Sequence, residues 1–201
     1  MRAIDPQPVT LSSAFVRLEP LARRHAPELF ELGREPELWT WMPRGPFADL
    51  GDTEAWIKDG LADENSVAYA IRDLATGRIA GSTRFLDIQR QECGLEIGWT
   101  FVGAPFRRTA LNTASKRLLF AHAFERLGAE RVCLKTDHQN ERSQAAILRL
   151  GARFEGALRH HRQRRDGTWR DTLYYSVLLG EWPAVSRRLD ALLARGTAAS
   201  D

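Results

Sequence analysis

Lysine is nearly missing from this chain: only Lys58, Lys116 and Lys135 are lysines, and every other basic residue apart from the histidines is arginine. Arginine forks onto phosphates and carboxylates better than an ammonium does. The bias is therefore open to two readings, coding composition or a preference for anions. Cysteine is scarce as well. Cys93 and Cys133 have no His or Cys at metal-ligand spacing, which predicts reduced core residues, with no disulfide and no metal. No apolar run approaches the roughly 20 residues that span a bilayer. The opening MRAIDPQPVT lacks the apolar core of an export signal, so the expectation is a cytoplasmic protein without a membrane partner. His-Ser-Asp, Cys-His and HExxH arrangements are absent too, which leaves nucleophilic triads and zinc hydrolysis without support.

What is present is ordinary globular composition. The 201 residues are 43% hydrophobic and 27% charged, with a net charge of +3, far from a nucleic-acid-binding tail. With no repeat and no low-complexity linker, one domain over 1–201 is expected, with loose ends at 1–10 and 195–201.

Ala14 to Pro20 alternates as a strand, and His25 to Gly33 reads as a short helix stopped by Gly33. The stretch EPELWTWMPRGPF is a loop. Asp52 is placed to N-cap a helix reaching about Glu64, carrying Ala55, Trp56 and Leu61. Val67 to Arg72, Ile79 to Leu86 and Cys93 to Val102 are strands. Leu111, Ala114, Leu118, Ala121 and Phe124 step by three and four, a helix face. Arg131 to Asp137 is a strand. Asn140 opens a helix with Ala145, Leu148 and Leu150 as its apolar contacts, closed by Gly151. Arg153 to Arg159 and Leu173 to Leu179 are strands about a polar connection, HHRQRRDGTWRD, and a final amphipathic helix follows Pro183. Meander strands followed by a strand-helix-strand-helix unit describe a mixed α+β domain.

Three places gather chemistry. In LEIGWTF, alternation puts Leu95, Ile97 and Trp99 on one face and Glu96, Gly98 and Thr100 on the other. Glu96 is then either a base facing a cleft or a solvated strand carboxylate. In VGAPFRRTALN, Arg107, Arg108, Thr109 and Asn112 precede a helix whose free N–H groups suit phosphate, or they form a plain basic turn. In Asn140-Glu141-Arg142-Ser143, Asn140 is an N-cap that sets Ser143 in the first turn, with or without a chemical role. His160 and His161 are adjacent and point opposite ways on a strand, so they share no metal. GALRHHRQRRDG is basic, but with Trp169 the only aromatic beside it, a solvated hairpin is favoured over a nucleic-acid surface.

Together the segments EIGWTFVGAPFRRTALNTASK and AFERLGAERVCLKTDHQNERSQAAILRLGARFEGALR resemble the GNAT superfamily. The nearest branch includes the ribosomal-protein N-terminal acetyltransferases of the RimJ and RimL type. The resemblance runs from FVRLEPL to EWPAV. It implies a central, mostly antiparallel twisted sheet of about seven strands flanked by helices. It also implies transfer of an acetyl group from acetyl-CoA to a primary amine, a protein N-terminus or a small molecule, by direct attack without metal. Glu96 matches the strand glutamate that relays the amine proton, and Ser143 the group that protonates the departing thiolate. Thr100, Phe101 and Val102 match the backbone that pairs with pantetheine, and Asn140 matches a pantetheine contact. Arg107, Arg108, Thr109, Ala110, Leu111 and Asn112 match the pyrophosphate loop. In that loop Arg108 and Ala110 stand where glycines are usual, and glycine there permits positive φ. Ala114 stands where a glutamate is usual. The segment with Trp41, Met42 and Phe47 is placed over the acceptor cleft, or else is core. Homodimers are common in the branch. The competing class is a non-catalytic acyl-CoA-binding or nucleic-acid-binding module on the same fold.

Overall fold

Leu11–Ser12 (β1) and Val16–Pro20 (β2) open the sheet, in a computed structural model that describes residues 3–198. Val16 and Leu18 are fully buried and Arg17 is exposed, the period-two pattern of a half-covered strand. A turn made by Ser13, whose hydroxyl accepts from the Phe15 and Val16 amides, joins the two. β1 is too short to leave a periodic signal, which accounts for the eighth strand where about seven were expected.

Ala26–Gly33 (α1) and Leu50–Ala62 (α2) follow, and then the meander Val67–Asp73 (β3), Ile79–Gln89 (β4) and Gly94–Val102 (β5). Leu111–Ala121 (α3) continues into a wider π-helical turn, His122–Leu127, before Arg131–Asp137 (β6). Glu141–Leu150 (α4), Arg153–Gln163 (β7), Trp169–Leu178 (β8) and Trp182–Ala198 (α5) complete the chain. The sheet order is β1-β2-β3-β4-β5-β6-β8-β7, and β5–β6 is the parallel pair among antiparallel ones.

Both faces of the sheet are covered, which is why β3 from Val67 to Ile71 and β4 from Ile79 to Phe85 are buried on every residue. Alternate β4 residues show the two layers. Phe85 stacks on His122 and Thr83 meets Lys116, both on the side of α3, whereas Arg84 lies under Trp56 of α2. α1 and α2 cover one face. α3 packs against α5, which also meets α4, on the other.

Several local expectations shift. Asp49, not Asp52, caps α2: its Oδ1 accepts the Asp52 amide at 2.8 Å, while the Asp52 carboxylate accepts the Ala48 amide at 3.0 Å. The two acids form a reciprocal cap, so the helix starts earlier. Leu61 is 55% exposed, and Trp56 and Ile57 carry the packing. In α4 the buried residues are Ile147 and Leu150, with Leu148 and Ala145 exposed. β7 and β8 run further than expected and leave only residues 164–168 as their connection. The ends also differ: Ile4 is buried, with its amide bonded to the Arg90 carbonyl at 3.0 Å, and α5 is helical through Ala198. The rest of the expected loose ends, residues 1–2 and 199–201, lies outside the described residues.

Candidate active site

The parallel pairing of β5 with β6 lasts three rungs, Gly94 with Arg131, Leu95 with Val132 and Glu96 with Cys133. Beyond Glu96 both strands continue, unpaired with each other, to Val102 and Asp137. The edges of this fork carry backbone N–H and C=O groups that no neighbouring strand takes up along that side.

A bulge accompanies the divergence. Against β4, Gly98 pairs with Arg84 and Phe101 with Ser82, so Trp99 and Thr100 together oppose Thr83. Trp99 has φ +47°, a left-handed conformation that an L side chain adopts at a cost. The expected facing therefore holds through Gly98 and is reset at the bulge. Thr100 turns to the α3 face, and Phe101 returns to the α2 face beside Trp39 and Trp56.

Glu96 stands at the base of the fork and is 8% exposed, so it is not a solvated strand carboxylate. Gly98 makes room for it, since a Cβ there would lie 2.7 Å from the Glu96 carboxylate. Lys135, two residues beyond the Glu96 rung partner and hence on the same face, donates to Glu96 Oε2 at 2.7 Å. It also reaches Asp87 at 3.3 Å and lies 4.8 Å from the Tyr174 ring centroid. Burial pushes the Glu96 carboxyl above its ordinary range, and the Lys135 hydrogen bond and charge offset only part of that.

A buried cation backs the bulge from the other face. Lys116 of α3 donates to the Thr100 hydroxyl at 2.6 Å and lies 3.4 Å from that of Thr83, the two hydroxyls being 2.8 Å apart. With no carboxylate beside it among the described residues, burial brings its pKa down to about 7, while the charge of Glu96 acts to raise it. Counting helix faces by apolar spacing could not find Lys116, because a lysine scores as a solvent residue. Its one signal was rarity.

At the α3 N-terminus the N-cap residue is Ala110, whose side chain makes no capping bond, rather than Asn112, which is half-buried in the first turn. Arg107 faces inward: Nε donates to the Val102 carbonyl at 3.2 Å, and its Nη atoms lie 3.3 Å from Glu35 and 3.5 Å from Glu37. Arg108 is exposed and has φ +62°, the conformation for which glycine is usual. The loop keeps that shape without glycine, at about 1–2 kcal/mol of backbone strain. Thr109 closes the turn, donating to the Phe106 carbonyl at 2.9 Å and accepting the Leu111 amide at 3.3 Å, and Leu111 is buried.

Across the fork, Asn140 Oδ1 accepts the Ser143 amide at 3.1 Å, and the half-buried Ser143 hydroxyl has no hydrogen-bond partner among the described residues. Over the α2 face, Trp41 and Met42 are half-buried. Phe47 is 3% exposed and lies edge-on to Trp39 and Trp56, so its side chain is core. Such aromatic pairs contribute roughly 0.5–1.5 kcal/mol each beyond their buried area and fix the loop. The β7–β8 hairpin reaches that loop, with the Arg165 guanidinium seated on Gly45. Arg164 anchors the hairpin by a double hydrogen bond to buried Asp137 at 2.7 and 2.9 Å. His160 stacks on Trp169, and His161 bonds Thr172 at 2.9 Å. Neither cysteine forms a disulfide. No helix among the described residues is long and apolar enough to cross a membrane.

A mixed sheet forked between two parallel strands, with a buried carboxylate at the fork and a helix N-terminus beside it, defines the acyl-CoA N-acyltransferase class of fold expected from the sequence. The chain belongs to the acetyltransferase (GNAT) family: the sequence model described as "Acetyltransferase (GNAT) domain" matches residues 16–153. It is 31% identical over 152 residues to the "Putative ribosomal N-acetyltransferase YdaF" of Bacillus subtilis (strain 168), covering 72% of this chain and 78% of that one. A GCN5-related N-acetyltransferase from Brucella melitensis superposes with a TM-score of 0.92 at 30% identity, over 96% of this chain and 89% of that one. RimJ of Mycobacterium smegmatis, solved in complex with CoA-disulfide, shares the fold with a TM-score of 0.81 at 20% identity, over 92% and 95% of the two chains.

Proposed function

We propose that this protein is an N-acetyltransferase that moves the acetyl group of acetyl-CoA to a primary amine, of a protein N-terminus or a small molecule, by direct attack. The observation that carries the reading is Glu96, a buried carboxylate of raised pKa at the base of the fork. A base serves best when its pKa lies near the working pH, and burial moves Glu96 in that direction.

Acetyl-CoA supplies the activated acyl carbon. The open edge of β5 at Thr100, Phe101 and Val102 offers backbone groups to pantetheine, and Asn140 keeps its amide N–H₂ for the same ligand. The α3 N-terminus at Ala110, Leu111 and Asn112, with Thr109 and exposed Arg108, fits a pyrophosphate, which would take the Leu111 amide over from the Thr109 hydroxyl. Arg107, tied to Glu35 and Glu37, instead holds the loop against the residues after α1.

Glu96 takes the proton that the ammonium sheds, directly or through water, as the amine nitrogen bonds to the acyl carbon. When the carbon–sulfur bond breaks, the sulfur keeps the electron pair and takes the proton of the Ser143 hydroxyl, which has no partner among the described residues, while the acetylated nitrogen gives up its second proton and so restores the hydroxyl. Lys116 fixes Thr100 and so the bulge that aims this strand. Trp41 and Met42 border the acceptor side. The proposal extends to one acetyltransferase domain acting in the cytoplasm as a homodimer.

Thioester consumption across a panel of primary amines tests the reading, with acetyl-CoA binding followed by calorimetry. Amine-dependent release of CoA thiol is expected. Tight binding of acetyl-CoA with no amine-dependent release would leave a non-catalytic binding module instead.

A further inference from the structure

β4 delivers Arg84 opposite Gly98, onto the face that carries Glu96 two residues along β5. Arg84 is 7% exposed. Its guanidinium lies between two indoles, 4.8 Å from the Trp56 ring centroid and 5.1 Å from that of Trp99. It presses on α2 so closely that a Cβ at Gly60 would lie 2.9 Å from Nη2. Among the described residues no carboxylate comes within 4 Å of it, and the charge that acts to hold its proton is the more distant Asp63.

Two buried donors stand together here without acceptors, Arg84 Nε–H and the Trp56 indole N–H. A buried donor left unpaired costs about 1–3 kcal/mol, and an unpaired buried charge several kcal/mol. Cation–π contacts return about 2 kcal/mol when desolvated, which covers part of that. A lysine so placed would shed its proton, as burial inclines Lys116 to do, but arginine stays charged. The surrounding charges do not neutralise it. Glu96 is already paired with Lys135, and Asp137 with Arg164. On β8 Arg170 is a second arginine with no carboxylate within 4 Å among the described residues, where its one hydrogen-bond partner is the Thr172 hydroxyl at 3.1 Å. It shares the Glu96 face, because Thr172 and Tyr174 alternate with it and Lys135 lies over Tyr174.

We infer that Arg84, with the Trp56 indole N–H, forms an anion subsite of the acceptor cleft, and that the preferred acceptor is an amine carrying a carboxylate close to the reacting nitrogen. The inference rests on the proposed acetyl transfer and names the acceptor class for it. Strand residues advance about 3.3 Å each, so the Arg84–Gly98 rung lies roughly 7 Å along the sheet from Glu96. An amino acid spans part of that distance with its own carboxylate, and a peptide spans it with an acidic side chain in its first residues.

The experiment compares amines that differ only in the carboxylate, using acetyl-CoA and the full chain. One arm sets free amino acids against their amides. The other sets peptides beginning Ser-Glu against those beginning Ser-Gln, each with an amidated C-terminus. The acidic member is expected to have a kcat/KM at least 10-fold higher, expressed mainly in KM, and the arm showing the preference identifies the source of the carboxylate. In Arg84→Gln the acid-to-amide ratio collapses toward one, and in Arg84→Lys it is partly restored. Equal rates for acidic and neutral amines in the unaltered protein, or an unchanged ratio in Arg84→Gln, overturn the subsite. Should Arg84→Gln not fold, the unaltered protein's ratio decides alone. If no amine is acetylated although acetyl-CoA binds, the transfer reading fails instead. Calorimetric titration with the Ser-Glu and Ser-Gln peptides then decides the subsite: tighter binding of the acidic peptide sustains it and equal binding ends it.

Discussion

Two of the chain's three lysines approach Glu96 from opposite faces of the sheet, and their surroundings drive them apart. Lys135 is half-buried and meets carboxylates, Glu96 at 2.7 Å and Asp87 at 3.3 Å. Burial would lower its pKa, yet the hydrogen bond and charge of Glu96 carry it above the ordinary lysine range. Lys116 is buried against two threonine hydroxyls, and its pKa falls to about 7. The same side chain is thus a fixed cation on one face and a titrating group on the other. In a chain that otherwise uses arginine, lysine at position 116 is the cation that can become neutral where no carboxylate meets it.

Removing the carboxylate breaks the comparison most severely. Glu96→Gln keeps the shape, deletes the proposed base and leaves Lys135 with Asp87 as its remaining anionic contact. Turnover near neutral pH is expected to fall by roughly 10²–10⁴-fold. It should recover in part as pH rises toward the amine pKa of about 10, where free amine no longer needs a base. Initial rates from pH 6 to 10 check this, and rates equal to those of the unaltered protein across that range would remove Glu96 from the mechanism.

Lys116 supplies the next test, through stability. Its folded pKa of about 7 lies below the ordinary 10.5, so between these values the unfolded chain binds more protons than the folded one. Stability contributed by this site therefore rises with pH through that window, and its full penalty applies below it. Lys116→Met removes the slope. The unfolding free energy of Lys116→Met relative to the unaltered protein, measured by denaturant titration, should fall as pH goes from 7 to 10, by an amount on the order of a few kcal/mol. A difference that stays flat, or that grows with pH, would contradict a lysine buried without a counter-charge.

These two lysines also mark how much the sequence disclosed. LEIG placed Glu96 on the face opposite Leu95 and Ile97, because alternation holds from Leu95 to Gly98, but left open whether that face met a cleft or solvent, and NERS placed Asn140 as the α4 cap because side-chain capping is local chemistry. The bulge was illegible, because positive φ is ordinarily a glycine signal and Trp99 carries it instead. Arg108 hid the shape of its loop in the same way. Lys116 and Arg84 could not be seen as buried, because their burial comes from elements far away in the chain, α3 against β4 and α2 against β4. In β7 the run RHHRQ is exposed or half-buried throughout, so no alternation showed that the strand continued past Arg159.

The finest test keeps Glu96 and changes only what Lys135 does to it. Around the carboxylate stand Lys135 from β6, Asp87 from β4 and Arg170 from β8. Burial and Asp87 raise its pKa, while Lys135 and Arg170 lower it. Lys135→Met removes the largest lowering influence, so the carboxyl moves further up. The acid limb of kcat/KM reports the base of the free enzyme, and activity is lost as pH falls through that pKa. The limb is therefore expected to move to higher pH by about one unit, the lower end of what an opposite charge at this distance does. Rates should be about 10-fold lower on the acid side of the limb and converge above it. Lys135→Arg restores a cation and should return the limb toward its original position, which a merely structural loss would not do. If the limb stays in place in Lys135→Met yet disappears in Glu96→Gln, Glu96 titrates without feeling Lys135, and the 2.7 Å pair is not made in the working enzyme.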